Sequence, residues 1–493
     1  MNLCELFRAT DGVLLQGDAR AEAKSLCYDS RAVTPGALFV CLPGQHTDGH
    51  AYARQAAAAG AVGIVCERPV PGLSPDLPVL QVTHSRKALA RLAIRFYGEP
   101  AGQLTMIGIT GTKGKTTTAH LIAAVLTAAG RKVGLIGTNG VCWPGYHHPL
   151  DHTTPESCDL QRLLRRMVEA GCDACVMEVS SLGLKMDRVT GIEYDIGVFT
   201  NLSPDHIGPG EHASFAEYRA WKSVLFRRCR VGLVNTDDPQ TQAILTQHTC
   251  RVVTYGIDYP ADWQAGADFE LLHRPGLLGV AFTAAGPEGI ARPYQVAMPG
   301  RFSVSNALAA IAVAGILQLP DDAVQRGLRT AVVEGRVEPV PVDAPFTVVL
   351  DYAHNEAAAE NLLTALRAYR PTRLIVVFGC GGGRSRVRRF GMGEACARLA
   401  DFCVVTEDNS RGEPLGDILA DIRTGLRRGN PDTPFVEIPD RRKALYYALD
   451  MARPGDIVAV IGKGHERTLQ RGNETLPFCE REIIQNYMAA KGT

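Results

Sequence analysis

Met106-Ile-Gly-Ile-Thr-Gly-Thr-Lys-Gly-Lys-Thr-Thr-Thr118 decides how this chain is read, because a short apolar strand runs straight into a glycine loop ending in Gly114-Lys115-Thr116. Gly111, Thr112, Lys113, Gly114, Lys115, Thr116 and Thr117 form a candidate cradle for nucleotide phosphates. The glycines let backbone N–H groups close around phosphate oxygens, Lys115 reaches the outer phosphates, and the Thr116 hydroxyl can ligate magnesium. The helix expected to begin there adds its N-terminal dipole to the anion site. The general P-loop pattern would place its first glycine at position 109, where the chain has Ile109; Gly111 opens a tighter loop instead.

The chain has 493 residues, which at about 150 per domain predicts three domains. Its 52 basic residues balance its 52 acidic ones, which argues against nucleic acid or an anionic membrane as the dominant partner. No apolar run approaches the roughly 18 residues of a membrane span, and the N-terminal MNLCELFRATDG lacks a signal-peptide layout, so a cytoplasmic protein is expected. Among 14 cysteines, Cys172 and Cys175 make one C-x-x-C pair; with no second pair at ligand spacing, buried reduced thiols are expected.

Outward from the loop, the first hundred residues read as a small α/β unit, with strands in ALFVCLP, AVGIVCE and LPVLQV. Asp29, Ser30 and Arg31 read equally as a ligand site or as an Asx turn. After Gly98-Glu-Pro-Ala-Gly102 strands alternate with helices, the rhythm of a parallel sheet. Glu178 ends the run CVMEV, where an acid beside a phosphate loop can hold magnesium, and His206 follows the next strand as a candidate second ligand. In SFAEYRAWKSVLFRRC, Lys222 falls inside an apolar stripe of Phe215, Tyr218, Leu225 and Phe226. It reads either as a snorkelling side chain or as a buried amine able to take up carbon dioxide. Residues 235–300 mix short strands and turns, and Asn306 is a base contact or a helix cap. Glu334 to Glu338 reads as a hinge into a third unit. There four strands end in Asp351 to His354, Gly379 to Arg384 with Arg386, Arg388 and Arg389, Glu407 to Arg411, and Gly462 to Glu466. Loops at the carboxyl edge of one parallel sheet make a small-molecule site.

The motifs DSR, PGALFVCLPG, TDGH, GTKGKTTT, TTP at 153–155, MEVSS, NLSPDH, the Lys222 helix, GRVE, DYAH, FGCGGGR, DNSR and GKGHE occur in that order. This series resembles the Mur ligases, most closely the UDP-N-acetylmuramoyl-tripeptide synthetase type. The resemblance implies an α/β protein of three domains: an N-terminal UDP-sugar-binding α/β domain (1–102), a central P-loop parallel-sheet ATPase domain (103–335) and a C-terminal Rossmann-like α/β domain (336–493) that binds the amino acid. It implies an ATP-dependent amide ligase that phosphorylates the D-Glu carboxylate of UDP-MurNAc-L-Ala-D-Glu, then lets an incoming amine displace phosphate. ATP is a substrate, two Mg2+ ions are the implied cofactors, and Lys222 carries a CO2-derived carbamate. By this resemblance Lys115, Lys222, Glu178 and His206 are catalytic, and Thr116, Glu178, His206 and carbamylated Lys222 hold metal. Asn306, Arg336, Asp351 and His354 join the loop around ATP. Tyr28, Ser30, His152, Thr153, Thr154, Ser180 and Arg188 bind the UDP-MurNAc-peptide. Arg389, Asp408, Asn409, Ser410, Arg411, Gly462 and Glu466 bind the amino acid. The implied partners are these small molecules, with no nucleic acid and no membrane span, and the implied state is a monomer.

Diaminopimelate-adding members carry DNPR in the arginine loop, where the arginine grips the distal carboxylate. Here the loop is DNSR: Arg411 remains and the proline is absent. Meso-diaminopimelate is the expected substrate, with L-lysine, another amino acid or another acceptor as the alternative. His152, Leu182, Met186 and Ser303 also depart from the family pattern, as does DYAHNEA after its histidine. A P-loop switch or transport ATPase is the reading from another class; it leaves Lys222 and GKGHE without a role.

Overall fold

Five short strands open the chain: β1 (Val13–Gln16), β2 (Ser25–Cys27), β3 (Ala37–Val40), β4 (Gly63–Cys66) and β5 (Val79–Gln81). β3 and β4 are buried along their whole length, as continuous apolar runs in a parallel sheet should be, and the order is β1-β5-β4-β3-β2 with β1 antiparallel at the edge. The computed structural model describes residues 1–44, 47–208, 210–274 and 277–491.

The phosphate-loop strand β6 (Thr105–Thr110) begins the next sheet, with β7 (Val133–Gly137), β8 (Gly140–Trp143), β9 (Tyr146–His148), β10 (Ala174–Glu178), β11 (Tyr194–Phe199), β12 (Cys229–Asn235) and β13 (Arg251–Gly256). Their order is β13-β12-β11-β6-β10-β7-β8-β9, parallel except for the β7-β8-β9 meander. β6 therefore sits mid-sheet between β10 and β11, so the ends of all three strands meet at the loop. Packing divides the chain into two units, Met1–Asp262 with Ala309–Pro320, and Trp263–Leu308 with Asp321–Thr493. The N-terminal sheet shares the first unit with the phosphate-loop sheet. Cys158, on the helix Ser157–Glu169, is buried in the N-terminal core beside Leu89 and Leu92, and Tyr28 donates a hydrogen bond to Asp159 of that helix.

Three register-aligned glycines cross the centre of this sheet: Gly108 on β6 pairs with Gly197 on β11, which pairs with Gly232 on β12. An added Cβ would lie 2.8 Å from the Tyr194 ring at Gly108, 2.9 Å from Cys229 Sγ at Gly197, and 2.6 Å from Cys250 Sγ at Gly232. The row is a trough of bare backbone, and Leu225 and Phe226 seat in it. These two belong to a 3-10 turn, Val224–Arg227, that follows the helix Phe215–Ser223; the sequence predicted one longer helix.

The second unit holds β14 (Trp263–Arg274), β15 (Leu277–Ala285) and β16 (Ala291–Val296), an antiparallel meander far longer-stranded than the short strands expected for 235–300. Its second sheet comprises β17 (Glu338–Val340), β18 (Thr347–Asp351), β19 (Leu374–Phe378), β20 (Phe402–Val405), β21 (Phe435–Glu437) and β22 (Ile457–Ile461), ordered β17-β18-β22-β19-β20-β21. The four strands expected from their polar ends, β18, β22, β19 and β20, are its adjacent, parallel core. The expected hinge at 334–338 leads directly into edge strand β17.

Candidate active site

The phosphate loop is held by its neighbour as much as by its glycines. Gly111 has φ +151°, and a Cβ there would lie 2.0 Å from Thr200 Oγ1, so the close approach of β11 demands glycine. Thr112 N donates to the Asn201 carbonyl at 2.8 Å and Lys113 N to the Asn201 side-chain oxygen at 2.9 Å. Two amides the sequence offered to phosphate are thus engaged by Asn201. The helix Lys115–Ala128 starts immediately after Gly114, so its N-terminus presents the Lys115, Thr116 and Thr117 end of the cradle.

Both site lysines converge on one backbone oxygen. Lys115 Nζ donates to the Gly111 carbonyl at 3.0 Å and Lys222 Nζ to the same carbonyl at 2.7 Å. Lys222 is 1% exposed, and its amine is pushed well below the ordinary lysine value, first by burial and then by Lys115. The Tyr218 ring lies 4.7 Å from its Nζ, Asp205 and Glu178 act in favour of its charge, and the Tyr218 hydroxyl shares a hydrogen bond with Thr112 at 3.2 Å. The snorkelling reading fails, since Nζ is inside the protein.

Glu178 lies at the end of β10, 1% exposed, and accepts from Thr116 Oγ1 at 2.9 Å and from Thr138 N at 2.8 Å. Among the described residues no three His, Cys, Asp or Glu side chains converge to hold a metal ion. One carboxylate beside one hydroxyl at a phosphate cradle suits magnesium, which keeps waters and takes phosphate oxygens for most of its shell. His206 stands apart from this pair: it is exposed, at φ +53°, with Nδ1 2.9 Å from Glu211 Oε1. Its ring and Lys222 flank Tyr218.

Next to Glu178 a polar edge assembles most of the residues expected for the peptide. Thr154 Oγ1 donates to the Glu178 carbonyl at 3.0 Å, Ser180 caps the helix Ser181–Lys185 by accepting from Gly183 N, and Arg188 donates to the Thr154 carbonyl at 2.9 Å. Arg188 Nε is buried without a hydrogen bond, 3.6 Å from Glu156 Oε2. Thr153 reaches Thr138 at 3.2 Å, and His152 is exposed on the same loop. Asp29 caps the 3-10 turn Ser30–Ala32 and pairs with Arg31, the Asx-turn reading of that triplet.

In the second unit Asp351 is buried and accepts from Val337 N at 2.8 Å and Ala353 N at 2.7 Å; burial raises its carboxyl, opposed by Arg336. Arg336 stacks 5.0 Å from the Tyr352 ring, and His354 is exposed with Nδ1 2.9 Å from the Tyr352 carbonyl. Asn306 lies within the helix Arg301–Ile316, six residues into it, so it is not a cap. The loops after β19 and β20 interlock: Gly382 N donates to the Asn409 carbonyl, and Arg411 donates to the Gly382 carbonyl at 2.6 Å. Glu466 accepts from Asn409 and from Lys463, both at 2.8 Å; Lys463 is fully buried 3.6 Å from Asp408, and Gly462 has φ +115° beside it. Ser410 is buried, its carbonyl against Gly382.

Arg389, expected to meet the amino acid, pairs with Glu413 at 2.6 Å and Asp421 at 3.1 Å and is 1% exposed. Among the described residues Arg411 forms no ion pair with an acid; its side chain donates to the Gly382 carbonyl. The sequence reading missed Asn201, Thr138, Tyr218 and Lys463; Asn201 and Lys463 sat inside quoted motifs, while nothing local marked Thr138 or Tyr218 as polar contacts of the loop.

Three family models match consecutive parts of the chain: Mur ligase family, catalytic domain, over residues 22–97; Mur ligase middle domain over 109–314; and Mur ligase, glutamate ligase domain, over 335–464. The UDP-N-acetylmuramoyl-L-alanyl-D-glutamate--2,6-diaminopimelate ligase of Caldanaerobacter subterraneus subsp. tengcongensis is 40% identical over 490 residues, covering 99% of both chains. The protein so named from Geobacillus thermodenitrificans is 40% identical over 495 residues, 98% of this chain and 99% of its own. A solved structure of a ligase with that name aligns at TM-score 0.72 and 26% identity, over 100% of this chain and 99% of its own. MurF from Acinetobacter baumannii shares the fold at TM-score 0.64 and 21% identity, over 93% and 95% of the two chains.

Proposed function

Since this chain belongs to the Mur ligase family, we propose that it is the ATP-dependent enzyme that adds meso-2,6-diaminopimelate to UDP-MurNAc-L-Ala-D-Glu in the cytoplasmic synthesis of peptidoglycan precursors. The observation that carries the reading is the convergence of Lys115 and Lys222 on the Gly111 carbonyl, one cradle away from Thr116 and Glu178. A phosphate-hydrolysing switch needs the first lysine but has no use for a buried second one. Relatives at 40% identity over the full length supply the substrate class.

A carboxylate resists amines until phosphate becomes its leaving group. The D-Glu carboxylate attacks the γ-phosphorus of ATP, and ADP leaves. The diaminopimelate amine then attacks the acyl carbon, the tetrahedral adduct expels phosphate, and the ammonium proton is lost. Lys115 stabilises charge gathering between the outer phosphates and the acceptor. Thr116 and Glu178 would hold a first magnesium, with His206 and Lys222 assigned to a second; bound, the metal neutralises phosphate charge and fixes its orientation. Lys222 adds to CO2 as a neutral amine and loses a proton to give a carbamate; its burial and depressed basicity support this. Thr153, Thr154, Ser180 and Arg188 would line the muramoyl peptide, residues 1–102 with Tyr28 and Ser30 the UDP end, residues 103–335 ATP, and residues 336–493 the amino acid. Asn306, Arg336, Asp351 and His354 are assigned to the nucleotide. Asp408, Asn409, Ser410, Gly462 and Glu466 would receive the amino-acid end, and Arg411 the distal carboxylate, which lysine lacks.

The test is an amino-acid panel with UDP-MurNAc-L-Ala-D-Glu, ATP and magnesium, read as phosphate release. Diaminopimelate should be turned over and lysine poorly, and Arg411→Ala should raise the diaminopimelate KM by about 10-fold or more with the ATP KM little changed. Phosphate release without acceptor or amino acid would defeat the ligase reading; equal turnover of lysine would defeat the diaminopimelate assignment.

A further inference from the structure

The glycine row that seats the Lys222 turn also brings two thiols together. Gly197 and Gly232 are register partners on β11 and β12, so their Cβ directions share one face of the sheet about 4.8 Å apart. Cys229 Sγ stands 2.9 Å from the first of these positions and Cys250 Sγ 2.6 Å from the second. Cys229 begins β12, and Cys250 immediately precedes β13, the strand that pairs with it in parallel. Both residues are free and 8% exposed.

We propose that Cys229 and Cys250 are a redox-modification site, a dithiol that hydroperoxides convert to a disulfide across the start of β12 and β13. The two thiols act on each other, which pushes Cys250 down and Cys229 up, and His248 adds to the effect on Cys250. Other buried cysteines, such as Cys175 and Cys403, are pushed up by burial alone or with like-charged neighbours. Cys250 is therefore the thiolate and Cys229 the resolving thiol. The Cys250 thiolate attacks one peroxide oxygen, breaking the O–O bond and giving a sulfenic acid and water once the released hydroxide is protonated. Cys229 sulfur then attacks Cys250 sulfur and expels hydroxide, which takes up the Cys229 proton: two thiols and one hydrogen peroxide become one disulfide and two waters. The crosslink closes a short loop at the ends of the strands opposite the phosphate loop, so it should stabilise the sheet and leave nucleotide binding intact. This inference is independent of the ligase assignment.

The full-length protein is treated with hydrogen peroxide, denatured, and its thiols counted and mapped by mass spectrometry. Expected are a fall of two from the 14 thiols, a crosslinked peptide pair containing Cys229 and Cys250, recovery with dithiothreitol, a raised thermal midpoint and an unchanged ATP KM. In Cys229→Ser, dimedone should trap a sulfenic acid on Cys250. Full retention of thiols under excess peroxide, or first crosslinking elsewhere, such as Cys172 to Cys175, would overturn the proposal. A dimedone adduct on Cys250 in the unsubstituted chain with no disulfide would overturn it equally, and this readout does not require any variant to fold.

Discussion

At the scale of single residues, the site rests on two lysines with opposite fates. Lys115 is half-buried at the loop, whereas Lys222 is enclosed, and burial works against its charge. Lys222→Ala should lower ligase turnover at least ~100-fold while ATP still binds, and added formate or acetate should restore part of the rate; turnover close to the parent would remove Lys222 from catalysis. Placement at this scale was partly legible in the sequence, because Glu178 ends a continuous apolar strand and Lys115 and Thr116 open the helix that follows another. Partners from distant segments were not. The carboxylates that Arg389 pairs with come from Glu413 and Asp421, 24 and 32 residues along the chain. Likewise, two loop amides face Asn201, 88 residues on from Lys113.

At the scale of elements, the 3-10 turn after Ser223 is seated by the three aligned glycines. Gly232→Ala puts a methyl 2.6 Å from Cys250 Sγ and 2.8 Å from Phe226. Overpacking of this kind costs about 1–3 kcal/mol, to be measured by urea unfolding; a neutral result would mean the turn yields freely. No pattern in the sequence betrays this trough, since the glycines are 89 and 35 residues apart and only register aligns them. The meander β14 to β16 was equally hidden, its length depending on pairing rather than on any local run. The interlocked loops after β19 and β20 carry their own pH dependence. Arg389 and the Gly383 amide hold the Glu413 carboxyl down to about 2, against an ordinary 4.5. Its folded-state pKa is lowered, so its contribution is full above about 4.5 and is lost as pH falls toward 2. Acid unfolding of Glu413→Gln should therefore show a shallower loss of stability across that window than the parent; superimposable curves would refute the coupling.

At the scale of the whole molecule, the sequence predicted three α/β domains, and the family models fall in three consecutive segments. Packing nevertheless makes one unit of the N-terminal and phosphate-loop sheets. Arg86 is one fastening: it donates to Glu156 at 2.8 Å and to the Pro43 carbonyl at 3.2 Å. Glu156 also stands 3.6 Å from Arg188. Arg86→Ala should cost about 1–3 kcal/mol and raise the acceptor KM more than the ATP KM, because Glu156 would then draw Arg188 toward itself. An ATP defect alone would show that this contact serves the loop instead.

The glycine row has a mechanical meaning. Leu225 and Phe226 reach the main chain at the glycines, beside Tyr194, Cys229 and Cys250, so little slack separates the sheet from the segment that precedes it and carries the Lys222 amine to Gly111. A core packed by side chains absorbs small changes through rotamers, whereas this contact acts as a hard stop. Its tolerance is fixed by strand spacing, and a methyl group added on the glycine row would be felt as a displacement at the Lys222 end of the segment.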